Sequence, residues 1–259
     1  MPRTLVALGA AVGAGAAGWG HFEAGWVRLE TVPCPLPGLP PELEGLRIAH
    51  LSDFHFGPRS RGRVAGLRAA EWVRGRRPDL VVVTGDLLSR PRGRSDLDTA
   101  LTGLGAYAVL GNHDIAVTRD PFSRAAELEG LPATVLVGAS VLVGLRGLDV
   151  QIAGTEPYLH AAVPAPDAAD FRILLSHYPR LRAGGYQLVL AGHMHAGQIV
   201  LPYPGGKLRL AHLRAQLNQG VYRREGVTLH VSPGLGTTFV PFRFFARPEV
   251  TELVLRSRP

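Results

Sequence analysis

The apolar positions of this chain gather in short unbroken runs rather than in alternation. Residues 46–52, 80–84 and 107–110 are such runs, and each predicts a strand buried on both faces. Between the first two, Val64, Leu67 and Val73 recur on one side of a helical pattern. Arg61, Arg63, Arg68, Arg74, Arg76 and Arg77 surround it, as a solvated face or as a surface for anionic head groups. Further strands are expected at 134–137, 141–145, 150–153, 173–175, 187–190, 227–231 and 250–255, several of them separated by Gly turns. Strand–helix–strand units giving way to a succession of strands predict an α/β fold, a two-sheet β-sandwich flanked by helices in an αββα arrangement.

Upstream of the first run the pattern changes twice. No charge falls between Thr4 and Phe22, a length close to the roughly 20 residues that span a bilayer. Residues 1–22 therefore predict a membrane anchor. Ala14-Gly15-Ala16 also suits a cleaved signal, and a soluble helix is the third reading. Residues 23–44 follow as a Pro-rich linker, with Pro33, Pro35, Pro37, Pro40 and Pro41, and the main domain is expected over 45–259. Arg3 before the apolar stretch and Arg28 after it give a slight bias towards a domain facing away from the cytoplasm. The expected location is thus membrane-associated, with an exported soluble or a cytoplasm-facing domain as alternatives.

Composition narrows the chemistry. The 259 residues include one cysteine, Cys34, which excludes an intrachain disulfide framework and a cysteine zinc cluster. A metal would need histidine and oxygen ligands. The formal net charge is +7, but Lys207 is the only lysine, so the arginine excess reads as codon bias and no specific nucleic-acid partner is expected.

Five polar clusters close five of the apolar runs: Asp53-Phe54-His55, Gly85-Asp86, Gly111-Asn112-His113-Asp114, Ser176-His177 and Gly192-His193-Met194-His195. Ligand sites in α/β sheets lie beyond the carboxyl ends of strands, so the five would converge on one rim. Carboxylates, an amide oxygen and imidazoles form a mixed set suited to Mn, Fe or Zn, with enough groups for two ions. Two ions roughly 3.5–4 Å apart can clamp an in-line displacement at phosphorus. Asp86, a single carboxylate between the two halves, is the natural bridge.

These strings resemble the calcineurin-like metallophosphoesterase superfamily motif by motif from about Leu46 onward. Leu-Ser-Asp-Phe-His-Phe-Gly at 51–57, Gly-His-Met-His-Ala-Gly-Gln-Ile at 192–199 and Arg-Pro-Glu at 247–249 look like its membrane-anchored YkuE/YaeI branch. Met194 and Ala196 replace that branch's usual Thr and Gly, at positions that are not ligands. The resemblance implies two divalent metals sharing Asp86 and a bridging hydroxide. It places Asp53, His55, Asp86 and His195 on the first, and Asp86, Asn112, His177 and His193 on the second. It gives His113 contact with the phosphate and protonation of the leaving oxygen, with Asp114 orienting that imidazole. The implied activity is hydrolysis of a phosphodiester or pyrophosphate bond. The partner would be a lipid-like phosphoester, such as UDP-2,3-diacylglucosamine or a phospholipid, at a membrane surface. Phosphoester hydrolysis on soluble nucleotides or nucleic acid, and a non-catalytic scaffold of the same fold, are the alternatives. Outside the motifs, His50 reads as a satisfied core histidine, and His21, His160, His212 and His230 as ordinary residues. Phe239, Phe242, Phe244 and Phe245 fit either core packing or an exposed apolar surface.

Overall fold

The computed structural model describes residues 2–115, 128–181, 183–224 and 226–258. Two six-stranded mixed sheets lie face to face. The first contains β1 (Arg28–Pro37), β2 (Arg47–Leu51), β3 (Leu80–Thr84), β4 (Ala106–Val109), β5 (Ala133–Val135) and β14 (Glu249–Arg258), in the order β1-β14-β2-β3-β4-β5. The second contains β6 (Ala139–Leu145), β7 (Leu148–Gly154), β8 (Phe171–Ser176), β9 (Leu188–Ala191), β12 (Gly220–Arg224) and β13 (Val227–Val231), in the order β12-β13-β9-β8-β7-β6. A separate hairpin joins β10 (Val200–Tyr203) to β11 (Gly206–Arg209). The central strands of both sheets run parallel, β2-β3-β4-β5 in one and β13-β9-β8-β7 in the other. The expected runs are these strands, shifted by up to three residues at their ends.

One apolar layer fills the space between the sheets, built from Ile48, Val82, Val109, Ile152, Ile173, Leu175, Leu190 and Leu253 among others. A second layer lies under α2 (Gly62–Arg76) and α3 (Arg94–Leu101), which flank the first sheet. The outer face of the second sheet is covered, among the described residues, by loop side chains such as Val163, Leu181 and Leu217. The buried face of α2 differs from the expected one. Val64 is exposed, and Gly62, Ala65, Gly66, Ala69, Ala70 and Val73 face inward. Small residues are needed there because the helix lies almost on the stacked rings of Phe54 and Phe56. A Cβ on Gly66 would sit 2.7 Å from one ring and 3.0 Å from the other. Its arginines are partly tied down. Arg63 makes a two-pronged pair with Asp96, Arg76 pairs with the buried Glu252, and Arg74 donates to the carbonyls of Thr99, Ala100 and Thr102.

Two expectations about the N-terminal region need correction. Residues 2–23 form one helix, α1 (Pro2–Glu23), which at 1.5 Å per residue has the length of a span. Its Ala and Gly side chains supply too little apolar surface, and no helix among the described residues is long and apolar enough to cross a membrane. The expected membrane-anchored location is therefore overturned. The Pro-rich stretch is not a linker but strand β1. It pairs in parallel with β14, Arg28 opposite Glu249 through Pro37 opposite Arg258, and buries Cys34 and Leu36. Proline is tolerated because β1 is an edge strand, where one row of N–H groups has no strand to meet. Burial pushes the Cys34 thiol up to about 12, which keeps it protonated and inert.

Across the sandwich, His50 on β2 and His230 on β13 meet with Nδ1 atoms 2.8 Å apart, both buried. Burial holds both below the usual imidazole range, His230 at about 4. Unfolded imidazoles near 6.5 bind protons that this pair refuses, so stability should fall as pH drops from about 6.5 towards 4, at most about 1.4 kcal/mol per pH unit for each histidine. Urea unfolding at pH 7, 6 and 5 measures this slope. A His50→Leu/His230→Leu variant should show a shallower one, and an unchanged slope would mean the pair is not its source.

Candidate metal centre

The parallel strands of both sheets deliver their carboxyl ends to one rim. Asp53 and His55 follow β2, Asp86 follows β3, and Asn112, His113 and Asp114 follow β4. His177 follows β8, and His193 and His195 follow β9. All five sequence clusters therefore come together. The chain must turn sharply as it leaves each strand, and Asp53, His55, Asp86, His193 and His195 all have φ between 45° and 72°. Such conformations cost on the order of 1–3 kcal/mol each outside glycine and persist only where the surroundings impose them. Backbone bonds between loops impose them here: Asp53 N–H to Gly85 O at 2.9 Å, His55 N–H to Asp86 O at 2.9 Å, and Gly192 N–H to His177 O at 3.1 Å. Gly85, at φ +84°, has no alternative, because a Cβ would meet Gly111 N and His177 Nδ1 at 2.7 Å each.

Two donor groups result. Asp53, His55, Asp86 and His195 present ligand atoms within 4.8 Å of one another, and so do Asp86, His177 and His193. In the first group His55 Nε2 faces His195 Nε2 at 3.2 Å. In the second His177 Nε2 lies 3.1 Å from both Asn112 Oδ1 and His193 Nδ1. Asp86 Oδ2 is common to both, 3.3 Å from His55 Nε2 and 3.3 Å from His177 Nε2.

The donor set fits a pair of cations. The far nitrogen of His177 lies 2.9 Å from the carbonyl of Thr84, which can only accept, so Nδ1 carries a proton and Nε2 is the nitrogen left to face a cation or to hold a second proton. Nε2 faces an amide oxygen 3.1 Å away that only accepts, so a positive charge, a proton or a metal ion, belongs between them. The buried carboxylates ask for the same charge. Burial opposes protonation of His177, yet Asp86 and Asp53 draw it up to about 9. Burial alone would raise Asp86, but His177 and His55 hold it well below the usual carboxylate range. Burial, then His55 and Arg243, keep His195 neutral, and burial with His177 lowers His193 to about 3, so both offer lone pairs. The buried Asp/His cluster thus fits a dinuclear divalent metal site.

His113 lies at the edge of this cluster, its ring 4.9 Å from that of His55 and its backbone N–H on Asp86 Oδ1 at 2.9 Å. Asp114 is buried and accepts from the N–H groups of Leu87, Leu88 and Gly111, which ties the second and third loops together. Burial and the nearby Asp86 raise it to about 7. Several neighbours have no place in the site as the sequence predicts it, His212 among them as an ordinary residue. Arg243, fully buried, donates to the carbonyls of Gly236, Pro233 and Ala246 and reaches within 3.3 Å of His195 Nδ1. His212 and Tyr178 pack on the His193 ring at 4.9 and 4.4 Å. Residues 232–236 form a sixth loop on the rim, with Gly236 N–H on Asp53 O at 2.6 Å. Its signal was the small-residue string Ser-Pro-Gly-Leu-Gly directly after a predicted strand. Beside His193, Leu159, Tyr178, Pro179, Met194, Ala215 and Leu217 line a cavity of about 520 Å³. Phe239, 80% exposed, stands 5.9 Å from the His113 ring, and Phe245 is also exposed, so these two aromatics are surface rather than core.

Residues 46–197 match the family described as calcineurin-like phosphoesterase. The chain is 31% identical over 257 residues to a zebrafish (Danio rerio) transmembrane protein with metallophosphoesterase domain, covering 89% of this chain and 57% of that one. It thus spans little more than half the length of that relative. In Bacillus subtilis it is 28% identical to metallophosphoesterase YkoQ, over 87% of this chain and 89% of YkoQ. It is 27% identical to metallophosphoesterase YkuE there, over 95% and 93% of the two chains.

Asp86→Asn should remove the one charge that both groups share while leaving its shape. The variant should lose bound metal and nearly all turnover with its fold intact, measured by metal analysis of the purified protein beside far-ultraviolet circular dichroism. Wild-type metal content would show that the two groups do not depend on that carboxylate.

Proposed function

From the premise that this chain belongs to the calcineurin-like phosphoesterase family, we propose that it hydrolyses a phosphodiester or pyrophosphate bond at the rim just described. The observation that carries the reading is the position of Asp86 Oδ2, equally distant from an imidazole of each donor group. In this reading Asp53, His55, Asp86 and His195 hold the first ion, and Asp86, Asn112, His177 and His193 the second. When bound, two such ions, Mn, Fe or Zn, would supply Lewis acidity at phosphorus and acidify the attacking water. The chain's own groups do the rest. The Asn112 amide and the His113 ring bind phosphoryl oxygen, and His113 protonates the departing oxygen. Asp114, expected to orient the His113 imidazole, instead takes the backbone N–H groups of Leu87, Leu88 and Gly111, and in this reading acts by fixing the loop on which Asn112 and His113 stand.

We assign a lipid-like substrate, of the UDP-2,3-diacylglucosamine or phospholipid type, presented at a membrane surface. This is in keeping with the resemblance to the YkuE/YaeI branch. The apolar cavity supports it. That cavity shares the His193 wall with the second donor group, so an apolar chain carried by the substrate would lie there as its phosphorus meets Asp86.

Two measurements test this. His113→Ala should retain metal and slow turnover by roughly 10²–10⁴ on a substrate releasing an alkoxide, and much less on one releasing an activated phenolate. Equal losses on both would limit His113 to binding phosphate. Leu159→Lys should raise KM for a long-chain phospholipid or diacyl sugar nucleotide by about tenfold, roughly the value of one buried apolar side chain, and leave bis-p-nitrophenyl phosphate unaffected. Equal kinetics on long-chain and water-soluble diesters would remove the lipid from the reading.

A further inference from the structure

Behind the first donor group runs a buried chain of polar side chains that the proposed reaction does not use. Ser52 Oγ lies 2.5 Å from Asp53 Oδ2. Thr84 Oγ1 lies 2.8 Å from Ser52 Oγ, and His50 Nε2 lies 2.8 Å from Thr84 Oγ1. His230 Nδ1, from the opposite sheet, is 2.8 Å from His50 Nδ1. All four side chains are buried, so no water competes for these protons.

The direction of every bond follows from its end. As a ligand, Asp53 is ionised and accepts only. Ser52 must then donate to it, and the Ser52 oxygen takes the Thr84 proton. Thr84, its single proton spent, accepts from His50 Nε2–H. A neutral His50 with that proton offers a bare Nδ1, and only His230 Nδ1–H can fill it. The lowered proton affinity of both imidazoles agrees with two neutral rings. Thr84 also divides its two polar groups between the donor sets. Its hydroxyl leads to Asp53, and its carbonyl, at 2.9 Å, receives His177 Nδ1–H of the second group.

We propose that Thr84, oriented by His50 and His230, is a positioning residue that aims the Ser52 proton at Asp53 and so sets the affinity of the first metal group independently of the second. This rests on the two-group reading above. The need for a positioning residue is visible at Ser52, whose hydroxyl has a competing acceptor in the Thr84 carbonyl 3.2 Å away. With the Thr84 hydroxyl occupying its lone pair, Ser52 is turned to the carboxylate. Without it, the proton is free to swing to the carbonyl and release Asp53. Gly192 closes the arrangement, because a Cβ there would collide with both Ser52 Oγ and Asp53 Oδ2.

The test is calorimetric titration of the metal-stripped full chain with Mn²⁺, with His195→Ala marking which binding event belongs to the first group. Thr84→Val keeps the shape and the carbonyl and removes only the hydroxyl. It should weaken the first event by about 10–100-fold, the usual effect of losing a group behind a ligand, and leave the second nearly unchanged. Ser52→Ala should do the same, and the double variant should be no worse than either single one, because both act through one bond. His50→Gln, whose amide N–H can stand where Nε2–H stood, should keep wild-type affinity, while His50→Leu should behave as Thr84→Val. A general loss of packing would instead weaken both events and lower the melting temperature of the metal-free protein. Joint weakening of the two events, no change in either, or additive losses would each overturn the positioning role. A single binding event in the wild type would overturn the two-group reading itself, and this inference with it.

Discussion

A charged carboxylate has to remain charged at Asp86, inside protein and away from water, and much of the surrounding architecture answers that demand. An isolated buried carboxylate would neutralise itself, because the desolvation penalty is several kcal/mol. Here imidazoles approach from both sides and the His113 N–H from a third. They reach it because strands of two different sheets end at one rim, and the turns that carry Asp53, His55, Asp86, His193 and His195 place those residues in the left-handed region. The close approach also removes side chains. Gly85 and Gly111 are bare because a Cβ on either would strike the opposing loop, at Gly111 the Asp86 carboxylate itself. The site is thus a property of the sandwich as a whole, not of any one loop.

Much of this could be read in the sequence, for a physical reason. A buried strand leaves a run of apolar residues, and a ligand at its end leaves a polar group where the run stops. Asp53, Asp86, Asn112, His177 and His193 each stand within three residues of such a stop, and the structure gathers them as the pattern implies. What the pattern does not carry is partnership across distance. His50 and His230 look like two unrelated histidines until β2 and β13 are laid against each other. Arg243 is one arginine among many until its guanidinium is found surrounded by three carbonyls and His195.

The errors are equally physical. Charge-free composition over Thr4 to Phe22 suggested a membrane span, but absence of charge is not hydrophobicity, and Ala and Gly contribute little of it. The proline series suggested a linker because proline cannot donate to a sheet. At an edge it need not, and Cys34 and Leu36 show the alternation of a half-buried strand once the prolines are discounted. On α2 the larger apolar residues suggest the buried face. The governing constraint was distance to Phe54 and Phe56, which selects for smallness.

The pairing of β1 with β14 has a consequence for how the protein is made. β14 lies between β1 and β2, so these two segments are joined only through one made long after both. Until then β1 has no partner strand, and one edge of β2 stays open, directly before the loop of Asp53 and His55. Contacts of such long sequence separation slow folding and leave strand edges exposed to other nascent chains. The assembly of the rim is thereby coupled to the synthesis of β14, and a chain stopped short of Glu249 would hold its first donor group on an unfinished sheet.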